Sequence, residues 1–243
     1  HGMNESIARL STGMRAMYGA DAAGHSMGKN IQAVGASYAQ ASRNIEDGIS
    51  YAQMGESVLL EVANLAQRLR ELAITADNAD LLDANQEAAL DAEAALIGDT
   101  VDNILDTTDF NTVEVVDSAS ATQKAIAYGS LTANTTNVGP NVSVTAVNGV
   151  TAAAGAESNA DTLLAEVAEG LGNIAADLTA LKAFQGAASA TGANMAAAGA
   201  RLIDTDFALE TASLTKNAIL NQAALAMAAQ ANAAQSSILS VLQ

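Results

Sequence analysis

Apolar residues recur in alternating steps of four and three over three long stretches of the chain. Val58, Val62, Leu65, Leu69 and Leu72 form the first seam, inside a helical pattern from about Ser42 to Ala76. Leu90, Ala94, Ile97, Val101 and Ile104 form the second, and Leu163, Val167, Leu171, Ile174, Leu178 and Leu181 the third. A mean step of 3.5 residues keeps such side chains on one stripe of a helix, the stripe that packs against another helix. Glu56, Glu61, Arg68, Arg70 and Glu71 lie off the first seam, as solvated positions should. The polar, acidic run Asp77 to Asp83 reads as a turn. Together the seams predict a mainly α fold: an elongated coiled-coil helix bundle.

Between the second and third seams the period changes. Thr112 to Val116 is short and β-branched, and Lys124 to Leu131 and Asn141 to Val147 are also short, with alternation at Val142, Val144 and Val147. Gly139-Pro140 and Asn148-Gly149 are turn signals. A small β-hairpin insert is expected at about 111–150. Pro140 is the only proline of the chain, so no proline interrupts the long helices.

The C-terminal tail follows another pattern. The last charged side chain is Lys216, and from Asn217 to Gln243 there is no Asp, Glu, Lys, Arg, Gly or Pro. Ile219, Ala223, Met227, Ala231, Ala234, Ile238 and Val241 fall in steps of three and four, while Leu220, Leu225, Leu239 and Leu242 lie off that line. A helix apolar on nearly every side must be covered on nearly every side. Copies of the chain or partner proteins are the expected cover, with Leu214, Ile219, Ala223, Met227, Ile238 and Leu242 as candidate assembly residues. A membrane span fits less well, because Asn217, Asn221, Gln222, Gln230, Asn232, Gln235, Ser236 and Ser237 interrupt the run. Gly186, Gly192 and Gly199 weaken the expectation of one continuous helix ahead of the tail, and a kink or joint is expected near Gly199 to Asp206.

Composition narrows the function. The 243 residues contain no Cys, no Trp and 3% aromatics, which favours thin helical packing over a thick core and removes disulfides and thiolate metal sites. A formal charge of −17 argues against nucleic acid and anionic membrane partners. His1-Gly2-Met3 reads as a tag-like start, and no cleavable signal peptide is visible. Asp77, Asp80 and Asp83 lack the alternation and closing Glu of a calcium loop. His25 beside Ser26 has no third orienting group for nucleophilic catalysis. Two histidines make zinc improbable. The residues suggest no enzyme and no cofactor.

Several segments resemble bacterial flagellins. Ala8-Arg9-Leu10-Ser11-Thr12-Gly13-Met14-Arg15 is similar to their RLSSG-x-R, Asp21-Ala22-Ala23-Gly24 to DAAG, and Gln40 to Ser50 to QASRNANDGIS. Leu65 to Ala73 resembles LQRVRELA, Thr108 to Asn111 TQFN, and Arg201 to Ala208 RIEDTDYA. Ala229 to Asn232 and Ile238 to Leu242 resemble the closing AQAN and VLSLL. Met17-Tyr18-Gly19-Ala20 stands in place of the usual polar NSAKD run. The resemblance covers both flanks of the chain.

The resemblance implies a secreted, self-assembling subunit of the extracellular flagellar filament, exported through the growing filament. It also implies partners: other flagellin subunits, a flagellar secretion chaperone, a filament cap protein and hook-junction proteins. Hook–filament junction proteins share the terminal motifs and are the alternative; a surface homologue acting as adhesin or ligand-binding protein is another. Flagellins ordinarily carry a further N-terminal helix and large outer domains, so the chain reads as N-terminally shortened. Residues 1–24 would be a remnant of that helix and its joint, 25–199 a rod-like core carrying the insert, and 200–243 an assembly helix. Arg68, Leu72 and Glu93 fall where flagellins contact the vertebrate Toll-like receptor that senses them, with Arg68 and Leu72 four residues apart on one helix face.

Overall fold

A computed structural model describes residues 2–15, 21–117, 123–130, 133–144, 147 and 149–241, with only the backbone of 79 and 238–241. The protein is mainly helical, as the seams predict. Among the described residues, five α-helices, α1 (Gly2–Thr12), α2 (Ala22–Ala76), α3 (Ala84–Thr107), α4 (Glu157–Ile203) and α5 (Phe207–Val241), accompany four short strands. The run at Met17 to Ala20 lies outside the described residues. The chain forms two compact units, residues 37–191 and residues 1–36 with 192–243.

In the unit of residues 37–191, the three seams meet in one core. Leu59, Val62, Leu69, Val101, Leu163, Ile174 and Leu181 are fully or almost fully buried. Each such aliphatic side chain contributes about 1.5–3 kcal/mol on leaving water. Helices α2 and α4 run antiparallel, since Ser42 Oγ lies 3.2 Å from Ser189 Oγ and Arg70 Nε donates to Asp161 Oδ1 at 2.7 Å. The turn expected at Asp77 to Asp83 contains a 3-10 segment, Ala79–Leu81. Asp83 then starts α3 through a capping box: its carboxylate accepts from the Asn85 and Gln86 N–H groups, and the Gln86 side chain accepts from the Asp83 N–H. On α3 the second seam turns slightly, so that Leu105 is buried and Ile104 is only half-buried.

The insert differs in part from expectation. Strands β1 (Asp109–Phe110) and β2 (Val113–Glu114) pair antiparallel, as do β3 (Lys124–Ala127) and β4 (Thr135–Val138). Residues 141–144 and 147 form no strand. Gly139 at φ 145° and Asn141 at φ 49° turn the backbone out of an extended path. Val144 and Val147 are buried all the same. Side-chain burial, and not strand pairing, therefore accounts for those valines.

In the unit of residues 1–36 and 192–243, glycines allow α2 and α4 to approach closely. A methyl on Gly28 would meet Ile203 Cδ1 at 2.7 Å, and one on Gly35 would meet Met195 Cβ at 3.3 Å. The helix α4 runs unbroken through Gly186, Gly192 and Gly199. The joint expected near Gly199 to Asp206 falls between Ile203 and Phe207.

Candidate assembly surface

The joint is built from hydrogen bonds that the local sequence supplies. Gly13, at φ 66°, ends α1 in the left-handed conformation that glycine adopts without cost. Its carbonyl accepts from Thr205 N–H at 2.9 Å, and Arg15 N–H donates to Ile203 O at 2.7 Å, around an antiparallel bridge between Met14 and Asp204. The Arg15 guanidinium donates to Leu202 O at 3.2 Å and to Asp21 at 3.4 Å. Two aspartates start the adjoining helices. Asp21 Oδ1 accepts from Gly24 N–H at 2.8 Å, and Asp206 Oδ1 from Ala208 N–H at 2.9 Å.

Helix α1 lies along the first part of α5. Arg9 approaches Glu210 at 3.7 Å, Ser6 is buried, and a methyl on Gly2 would come within 3.2 Å of the Asn217 amide. Cover on α5 stops there. Leu214, Asn217 and Ala218 are half-buried, and every residue from Ile219 to Ser237 is exposed. Ile219 is 60% exposed, Leu220 56%, Leu225 66% and Met227 71%. Of the assembly candidates, Ala223 is also exposed, the Ile238 side chain is not described and Leu242 lies outside the described residues. No described helix is long and apolar enough to cross a membrane.

Arg68 and Glu93 come together, with Arg68 Nη2 at 2.7 Å from Glu93 and Nη1 at 3.2 Å from Glu71. These hydrogen bonds, to Glu93 first, raise the Arg68 pKa above its ordinary value. Leu72 does not share their surface: its side chain turns into the core and is 3% exposed. One helical turn separates the two residues, but Leu72 lies on the buried seam and Arg68 on its exposed flank. Among the described residues no three His, Asp or Glu side chains are grouped to hold a metal. His25 Nδ1, Thr205 Oγ1 and Glu210 Oε1 are buried without a hydrogen-bond partner. The helix-capping roles of Asp21, Asp83 and Asp206 were not assigned from the sequence, although the spacing Asp83-x-x-Gln86 carries the capping-box signal.

Comparison with known proteins decides the family. The bacterial flagellin N-terminal helical region matches residues 1–121, and the bacterial flagellin C-terminal helical region matches 158–242. A flagellin of Halalkalibacterium halodurans is 33% identical over 98% of this chain and 91% of its own length. The chain belongs to the bacterial flagellin family. Another flagellin, from Bacillus subtilis, is 29% identical over 98% of this chain and 92% of its own. A flagellar filament core protein of Brachyspira hyodysenteriae is 27% identical over 99% and 92%. A crystal structure of Bacillus cereus flagellin overlaps 63% of this chain and 88% of its own, with a TM-score of 0.45 at 20% identity. This flagellin is a structural, non-enzymatic subunit of the extracellular flagellar filament. It assembles with other flagellin subunits.

Proposed function

We propose that the uncovered part of α5, from Ile219 onward, is the surface this flagellin buries against its neighbours in the filament. What supports this is the exposure of Ile219, Leu220, Leu225 and Met227 on a helix with no charge after Lys216. Each side chain removed from water contributes about 1.5–3 kcal/mol, and no ion has to be desolvated with it. Leu214 and Ala223 extend the surface. Residues 200–243 then act as the assembly segment, 25–199 as the core that carries the insert, and 1–24 as the accompanying helix and joint. Before export the same surface fits a secretion chaperone. In the finished filament, cap and hook-junction proteins cover it at the two ends. The double variant Ile219→Asp, Met227→Asp tests the proposal. Filament yield should fall at least about tenfold, since each buried unpaired carboxylate costs several kcal/mol. Helix content by circular dichroism should not change, because both side chains are exposed. Normal filament yield would contradict the assignment.

The exposed Arg68–Glu93 pair supports a second surface, one contacted by the flagellin-sensing Toll-like receptor. Arg68→Ala should weaken receptor activation by the purified protein while leaving its thermal unfolding little changed, as expected for an exposed ion pair. Unchanged activation would remove Arg68 from that surface. Leu72, buried in the core, supports the site only by holding α2 in place.

A further inference from the structure

With neither Cys nor Trp in the chain, its seven methionines are its softest side chains toward an oxidant. Among those described, Met3, Met14, Met54 and Met195 are half-buried, whereas Met27 is 59% and Met227 71% exposed. Met227 also lies at the middle of the exposed stretch Ile219 to Ser237. Its neighbours one turn away on α5 are Ala223, Ala224, Gln230 and Ala231. A helical side chain leans over the turn that precedes it, and here that turn offers only the methyls of Ala223 and Ala224. No large apolar side chain of its own helix therefore covers the Met227 sulfur.

We infer that Met227 is an oxidation site, and that its sulfoxide keeps a flagellin subunit out of the filament. The reactant is hydrogen peroxide, which is uncharged and so is not repelled by a chain of formal charge −17. A sulfur lone pair attacks one peroxide oxygen, the S–O bond forms as the O–O bond breaks, and the other oxygen leaves as water. Sulfur loses two electrons and the peroxide gains them. A flexible apolar side chain thereby becomes a polar one. In water the new oxygen is hydrated; in an apolar contact it requires a hydrogen-bond donor that the thioether did not need. The free subunit exposes the sulfur, whereas a subunit whose α5 is covered shields it. Reduction by a thiol-dependent methionine sulfoxide reductase restores the thioether, with the oxygen released as water while two thiols join in a disulfide. The block is therefore reversible. The inference rests on the burial of α5 proposed above.

Hydrogen peroxide treatment of free subunits and of intact filaments tests it. Trypsin cuts after Lys216 and nowhere beyond, so Met227 is the only methionine of the peptide Asn217 to Gln243, and mass spectrometry of that peptide reads its gain of one oxygen. Met227 should oxidise several-fold faster in subunits than in filaments. When half-oxidised subunits are allowed to polymerise, the sulfoxide should be depleted from the sedimented filaments and enriched in the supernatant. Fully oxidised subunits should need at least about tenfold higher concentration to polymerise, as an unpaired polar group in an apolar contact demands. Their helix content should be unchanged, and the reductase should restore polymerisation. Met227→Leu, a swap that conserves volume, should polymerise normally after peroxide, whereas Met27→Leu should lose polymerisation as the parent does. Met227→Gln, which carries an acceptor oxygen from the start, should polymerise poorly without any oxidant. Equal oxidation rates in filaments and subunits would overturn the burial of α5, and the inference with it. Shielding in filaments combined with equal sulfoxide content in filament and supernatant would leave the burial standing and overturn the inference alone. Loss of polymerisation in peroxide-treated Met227→Leu would place the effect at another residue and overturn it as well.

Discussion

A methyl group added at Gly186 meets no atom within 4 Å, whereas one added at Gly170 meets Leu59 Cδ1 at 2.8 Å and Val142 Cγ1 at 2.9 Å. Both glycines lie inside α4, where alanine is favoured over glycine by about 1 kcal/mol. Gly186→Ala should therefore stabilise the protein by about 0.5–1 kcal/mol. Leu59 is fully buried, so a shift of its methyl would disturb packed neighbours. At Gly170 the cost of overpacking, about 1–3 kcal/mol, should exceed the gain, and Gly170→Ala should destabilise. Urea denaturation of the two variants checks both signs; stabilisation by Gly170→Ala would mean that the contact is looser than it stands here. The sequence alone shows a glycine as a helix breaker. It does not show that Gly28 and Gly35 sit where two helices nearly touch. Packing of that kind recurs on α4 at Gly199, where an added methyl would meet Gln32 Cγ at 2.8 Å, but not at Gly186, which α4 passes without such a contact.

At the scale of elements, the insert is fastened to α4 by two side chains one turn apart. Asp177 accepts from the buried Gly139 N–H at 2.9 Å, and Asn173 donates to Pro140 O at 2.8 Å. Burial pushes the Asp177 carboxyl above its ordinary pKa, against the lowering effect of the Gly139 N–H. Asp102 on α3 is shifted the same way, by burial first and then by Asp106 and Asp99. For a carboxyl raised on folding, the folded state binds the proton more tightly than the unfolded one. Its contribution to stability is present below the unfolded pKa and is lost as pH rises through the folded pKa. Asp177→Asn keeps an acceptor for Gly139 without the charge, so its stability should decline less than that of the parent protein as pH rises from about 4 toward neutrality. Denaturation midpoints across that range check this, and parallel pH profiles would contradict it. The insert was legible as a small β region, because its turn residues and β-branched runs are local signals. Which of its segments would pair was not. The alternation at Val142 and Val144 looks like a strand edge, yet contacts such as that of Val142 with the Gly170 face of α4 arise from residues distant in sequence.

For the whole molecule, the three seams made the helical core readable because period and burial coincide at Val62, Leu69, Val101 and Leu163. The uncharged tail stands out for the opposite reason: its apolar period continues, and from Ile219 to Ser237 its side chains stay exposed. The account as a whole stands on α5 being covered by other subunits. A helical reconstruction of the native filament by electron cryo-microscopy would measure this directly. Ile219, Leu220, Leu225 and Met227 should each be buried against a neighbouring subunit. If those four side chains still face solvent within an intact filament, α5 is not the assembly surface.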